Sequence, residues 1–198
     1  MVQVCWHSEI EPSVPVPVVL STNLSYMNLI ASNKAHYKYI SGGGHMESTI
    51  IRNIRVFIAS PFFSEEQVDR VQRLEQSLMR NPYVSEIFSA RFHQFKHLEF
   101  GSKEWRRKVF RNDLRHLRRS DVLVGIRDYE SKYVDSGTAF EIGYAYAMRK
   151  PILLINEKNS IMNLMMANSL HAYFTKVEDL ATYDFHRMPK VPYEGTVI

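Results

Sequence analysis

The sequence predicts a single α/β domain, an about five-stranded, mostly parallel sheet with helices on both faces. Three observations predict it. From Ile54 onward, short apolar or β-branched runs alternate with longer segments of helical periodicity, the order that builds a parallel sheet through crossover helices. The run over 121–126 is of the type buried on both faces. The chain has 198 residues, 45% hydrophobic and 23% charged, which is enough for one substantial core.

Each element has its own signal. Ile54–Ala59 is an apolar, β-branched first strand. Ser64-Glu65-Glu66-Gln67 has the form of a capping box, and the helix it opens should run to about Arg80, where Asn81-Pro82 stops it. Val84–Ser89 reads as the second strand, 102–119 as an amphipathic helix and 121–126 as the third strand. Residues 137–149 read as a helix ended by Lys150-Pro151. Two more strands, 151–155 and Ala172–Phe174, flank a helix expected over 160–169. There is no internal repeat. This is the flavodoxin-like or Rossmann-like order, in which ligands collect at the carboxyl ends of the strands. Ser60 to Phe63, Asp128 to Gly137 and the stretch after Ile155 all lie there.

Residues 1–45 read differently. They hold three prolines within a β-branched run and three consecutive glycines before His45-Met46, which has the look of a cloning junction followed by a start methionine. This stretch is expected to be a leader, added by cloning or poorly structured, with the folded domain over 46–198. The one cysteine, Cys5, can form neither an internal disulfide nor a thiolate metal site. No run approaches a membrane span and no secretory signal is present, so the expected compartment is the cytoplasm.

The net charge of +4 and the isoelectric point near 9.1 raise the question of nucleic acid. The charge is concentrated between Trp105 and Arg119, where Arg106, Arg107, Lys108, Arg111, Arg115, Arg118 and Arg119 alternate with Val109, Phe110, Leu114 and Leu117. That is the pattern of a helix with one solvated face, which is favoured over a nucleic-acid surface. A cationic rim that attracts phosphorylated or anionic small molecules stays open.

Three carboxylates stand out. Asp113 falls on the apolar face of its helix, with Val109 and Leu117 four residues to either side, so it must be paired, hydrogen-bonded or open to a polar cavity. Glu141 is the only ionisable side chain apart from tyrosines between Asp135 and Arg149, in a helix apolar nearly all round and therefore expected to be buried. Asp135 precedes Ser136-Gly137-Thr138 and could be an ordinary helix cap. Taken singly these could be an ion pair, a satisfied core glutamate and a cap. Converging at one end of a sheet, they fit acid, base and nucleophile work at a glycosidic centre.

Ser60-Pro61-Phe62-Phe63-Ser64-Glu65-Glu66-Gln67, Phe100-Gly101-Ser102, Glu104-Trp105, Asn112-Asp113-Leu114 and Asp135-Ser136-Gly137-Thr138-Ala139-Phe140-Glu141-Ile142-Gly143 are motifs whose wording and order resemble nucleoside 2-deoxyribosyltransferases. Asn163-Leu164-Met165, Ser169-Leu170-His171-Ala172-Tyr173-Phe174 and Pro192-Tyr193 continue the match to the end of the chain. The resemblance implies that Glu141 is the nucleophile and that Asp113 and Asp135 hold the nucleobase and manage its proton. It implies substrate contacts from Phe57, Ser60, Phe62, Phe63, Gln94 and Gly137. Asn163 and Met165 match residues that reach into a neighbouring subunit's site, so a homo-oligomer, a dimer or a hexamer made of dimers, is expected. Two positions depart from the family: Phe57 stands in place of a tyrosine whose hydroxyl contacts the nucleophile, and Ile198 in place of a terminal tyrosine. Tyr144, Tyr146 and Tyr193 are candidate substitutes.

The implied reaction is a two-step displacement. Glu141 attacks the anomeric carbon as the base leaves, and a second base attacks the resulting ester, with net retention and without a metal or organic cofactor. Deoxynucleosides and free nucleobases are the expected partners, with no nucleic acid and no membrane. Phe62, Phe63 and Phe140 are expected to pack around the site and exclude water. A hydrolase of deoxynucleosides or their 5′-monophosphates would use the same carboxylates; a non-catalytic nucleotide-binding module is the rival of a different class. The loop Ser60-Pro61-Phe62-Phe63 lacks the glycines and arginine of a phosphate reader, which favours unphosphorylated nucleosides.

Overall fold

In the computed structural model, residues 54–130 and 133–198 are described. The expectation for residues 1–45 lies outside them. Five strands form one parallel sheet in the order β2-β1-β3-β4-β5, with β1 Ile54–Ala59, β2 Val84–Ser89, β3 Val122–Ile126, β4 Ile152–Ile155 and β5 Ala172–Phe174. The helices are α1 Glu65–Arg80, α2 Lys103–Arg119, α3 Ser136–Ala147 and α4 Leu164–Ala167. Among the described residues no helix is long and apolar enough to cross a membrane.

The period of two along each strand divides the core. Val56, Ile58, Val122, Val124, Leu153 and Ile155 meet Val71, Leu74 and Leu78 of α1 on one face. Phe57, Ala59, Leu123, Ile152 and Leu154 meet Leu117 of α2 and Ile142 and Ala145 of α3 on the other. Both faces are covered, which is why the central strands β3 and β4 are apolar without alternation. Gly125 on β3 keeps this contact close: a Cβ there would come within 2.9 Å of Leu154 Cδ1.

Ser64 caps α1 through a 3.3 Å bond from the Gln67 amide, but the Gln67 side chain accepts from Phe63 N at 2.8 Å, one residue earlier than a capping box places it. Asn81 does more than end the helix. Its buried amide donates to Leu180 O and Tyr183 O, both at 2.8 Å, and its Oδ1 accepts from Tyr83 N, so one side chain fastens the C-terminal segment to the sheet.

Two expectations are corrected. The helix expected over 160–169 shrinks to Leu164–Ala167, because Met162 instead makes a parallel bridge with Val197 and Asn163 caps the short helix that follows. Helix α3 is apolar but not buried all round; only Thr138, Ile142 and Ala145 are fully covered, while Phe140 and Tyr146 are 50% and 61% exposed. Composition shows that a face avoids water, not what covers it.

Candidate active site

The strand order reverses direction between β1 and β3, and the crevice at their carboxyl ends is where doubly wound sheets bind ligands. Ser60 to Phe63 leave β1 there, and the chain leaving β3 reaches α3 by the same end. Asp135 caps α3, its Oδ2 accepting from Thr138 N at 2.7 Å and from Thr138 Oγ1 at 3.0 Å. Gly137 makes room for that carboxylate, since a Cβ on it would stand 3.0 Å from Asp135 Oδ2. The cap is real, and among the described residues nothing hydrogen-bonds the other oxygen, Oδ1.

Glu141 lies one turn and a half further along α3, facing Asp113 of α2. No protein group among the described residues hydrogen-bonds or ion-pairs its carboxylate, so it is not a satisfied core glutamate. Burial, and then the charges of Asp113 and Asp135, push its pKa up to about 8. Asp113 is half-buried and, among the described residues, has no arginine partner. Burial raises its pKa to about 6 against a weak opposing bond from Asn112 Nδ2 at 3.4 Å. The structure thus gathers three carboxylates on two facing helices, one on α2 and two at the start of α3, with no cation neutralising Glu141 or Asp113 among the described residues. That arrangement traps a proton at neutral pH.

The remaining predicted residues fall in different places. Phe57 has no exposed surface and stacks on Phe88 with centroids 5.1 Å apart. Ser60 is half-buried at the end of β1; Phe62 is half-buried against the α1 side of the core and stacks on Phe63, which is 62% exposed. Phe63 and Phe140 are therefore not tightly packed, contrary to the expectation that they enclose the site within one chain. The Gln94 side chain folds back on the 3-10 turn Ala90–Phe92, donating to Ala90 O at 2.6 Å, while the Gln94 backbone carbonyl accepts from Trp105 Nε1 at 3.0 Å. Asn163 caps α4 and leaves Met165 73% exposed at the surface.

Two of the three candidate replacement hydroxyls are engaged elsewhere. Tyr144 accepts from Arg118 Nε at 2.7 Å, and Tyr193 donates to Thr196 O at 2.9 Å. Tyr146 points outward.

Residues that sequence reasoning passed over hold the crevice together. Asp128, fully buried just after β3, accepts the amides of Glu157 and Lys158 at 2.7 and 3.2 Å, joining the loops that leave β3 and β4. Arg127 donates to Ile161 O at 2.7 Å. Arg70 of α1 bonds Glu157 at 3.0 Å and Glu66 at 2.7 Å, and Arg73 joins Glu157, Glu178 and Asp69. Their signal was a charged pair, Arg127-Asp128, directly behind an apolar strand. Among the described residues no group of three or more His, Cys, Asp or Glu side chains is arranged to hold a metal ion.

A family model described as nucleoside 2-deoxyribosyltransferase matches residues 56–181. A nucleoside deoxyribosyltransferase of Limosilactobacillus fermentum is 30% identical over 149 residues, covering 69% of this chain and 88% of that protein. A solved structure of a 2-deoxyribosyltransferase from Bacillus psychrosaccharolyticus superposes with a TM-score of 0.64 at 42% identity, over 70% of this chain and 98% of that one.

Proposed function

Since the chain belongs to the nucleoside 2-deoxyribosyltransferase family, we propose that it exchanges nucleobases on a 2-deoxyribosyl group through a covalent ester on Glu141, with net retention at the anomeric carbon. The observation that carries this reading is the Glu141 carboxyl, without a hydrogen-bond or ion-pair partner among the described residues and raised to a pKa of about 8 by burial and by the charges of Asp113 and Asp135.

In the empty site near neutral pH the cluster keeps one proton, mostly on Glu141. A departing purine or pyrimidine needs that proton, because the free anion is a poor leaving group. In this reading Asp113 and Oδ1 of Asp135, which accepts no hydrogen bond among the described residues, pass it to a ring nitrogen. As the glycosidic bond breaks, the base leaves neutral, and Glu141, now ionised, forms a bond to C1′. The acceptor base attacks C1′, breaks the ester and returns its N–H proton to the cluster. Two displacements restore the original configuration and the original protonation.

The loop Ser60-Pro61-Phe62-Phe63 offers aromatic surface and no cation, which suits an unphosphorylated sugar and base. Assembly completes the site in this reading. Phe140 and Tyr146 on α3, Phe110 on α2 and Met165 on α4 are large apolar side chains left in water by a single chain. A neighbouring copy covers them and brings its Asn163 and Met165 to the sugar.

Incubating thymidine with adenine tests the reaction. Deoxyadenosine detected by chromatography is expected. Thymine released without a new nucleoside would replace transfer by hydrolysis, and binding without either product would leave a non-catalytic module. Brief incubation with thymidine should add one deoxyribosyl mass to the peptide that contains Glu141.

A further inference from the structure

Helix α2 carries Lys103, Arg107, Arg111 and Arg115 on one ridge, each four residues after the last. Together with Lys108 and the ring of Phe95 they line an open groove of about 730 Å³. Like charges at this spacing repel and weaken a helix. On α1 the corresponding charges are compensated: Arg70 and Arg73 each pair with at least two carboxylates. On the α2 ridge no member is ion-paired with a carboxylate among the described residues, and only Arg115 finds a polar partner, Asn112 Oδ1 at 2.8 Å. Glu104 lines the same groove without forming an ion pair with any of them.

We propose that this groove binds the phosphate chain of a nucleoside 5′-di- or triphosphate, at a site separate from the carboxylate cluster. Successive ridge positions rise by about 6 Å, so the ridge extends roughly 18 Å, enough for one nucleotide. Guanidinium forks take phosphate oxygens two at a time, and closely spaced arginines are matched by closely spaced phosphates. Phe95 supplies an aromatic face for the base, with Lys108 Nζ already 5.4 Å from its ring centroid. A second copy of the same face is excluded by repulsion, and the three carboxylates repel a phosphate from the other site. Asn112 stands between the two, accepting from Arg115 and donating to Asp113, so an occupant that draws Arg115 away reaches the carboxylates.

Calorimetric titration of the full chain with ATP and with inorganic triphosphate, at low and at physiological salt, tests the site without any assay of turnover. The expected result is saturable binding of both, weaker in salt, with ATP the tighter because only it offers a base to Phe95. Arg107→Gln with Arg111→Gln should weaken ATP about a hundredfold, near tenfold for each charged contact. The variant relieves repulsion and should fold at least as well, which its thermal midpoint checks. Arg106→Gln with Arg119→Gln, the same loss of charge outside the groove, should bind nearly as the native chain does. The proposal falls if the native chain binds neither ligand, if both double variants lose affinity equally, if ATP and inorganic triphosphate bind alike, or if a short single-stranded RNA binds far more tightly than ATP.

Discussion

Burial first, and then the charge of Asp113 on α2, raise the pKa of Glu141 on α3 to about 8. The two side chains are thus linked, and removing one charge must move the other's titration. If the singly protonated cluster is the working form, kcat/KM for transfer falls as pH rises through about 8, where the proton leaves. In Asp113→Asn that alkaline limb moves to lower pH, and the rate drops by about 10² to 10⁴. A pH profile of both proteins measures this; an unmoved limb would separate the two residues.

Glu141 also costs stability. Its folded pKa lies above the ordinary 4.5, so the folded chain binds its proton more tightly than the unfolded chain does, and stability is lost as pH rises from about 4.5 through about 8. Glu141→Gln keeps the neutral form at every pH. Its thermal midpoint should exceed the native one by a margin that widens over that window and levels off above it, while transfer is abolished. Calorimetry at pH 5, 7 and 9 reads the margin.

A stacked column runs from Phe57 through Phe88 to His93 and His116, with Phe88 4.8 and 4.1 Å from the two imidazoles. Desolvation lowers both histidine pKa values below 6.5, and for His116 the neighbouring His93 adds to it. The unfolded chain therefore binds more protons, and stability should decline as pH falls below about 6.5. His116→Phe should flatten that decline. Thermal melts between pH 8 and 5 show the difference.

Asn81→Ala strands the carbonyls of Leu180 and Tyr183 and the amide of Tyr83. Buried polar groups left without partners make this one of the costlier single changes, about 3 kcal/mol in urea unfolding. Asn81→Asp keeps the acceptor for Tyr83 but cannot donate, and should recover only a part.

Much of the fold was legible because its signals are local. The bounds of β1, β2 and β5 and the cap at Ser64 follow from runs and spacings within a few residues. Helix 160–169 failed because what stops it is not local: Met162 pairs with Val197, thirty-five residues on, and no periodicity announces that bridge. The exposure of α3 was equally invisible, since Phe140 and Tyr146 read the same whether a sheet, a ligand or another subunit covers them. In the site, Glu141 and Asp113 were conspicuous as charges in apolar company. Asp128 was not, because an acidic residue in a loop is ordinary until its carboxylate is found holding the amides of Glu157 and Lys158.

Ile198 donates to Met162 O and accepts from Leu164 N, both at 3.0 Å, so the chain's last residue brackets Asn163. Fusing a tag behind Ile198, or trimming Val197 and Ile198, is consequently no neutral handling choice. Either loosens the segment that carries the exposed Met165, so a preparation altered in this way has a changed surface beside an intact set of carboxylates.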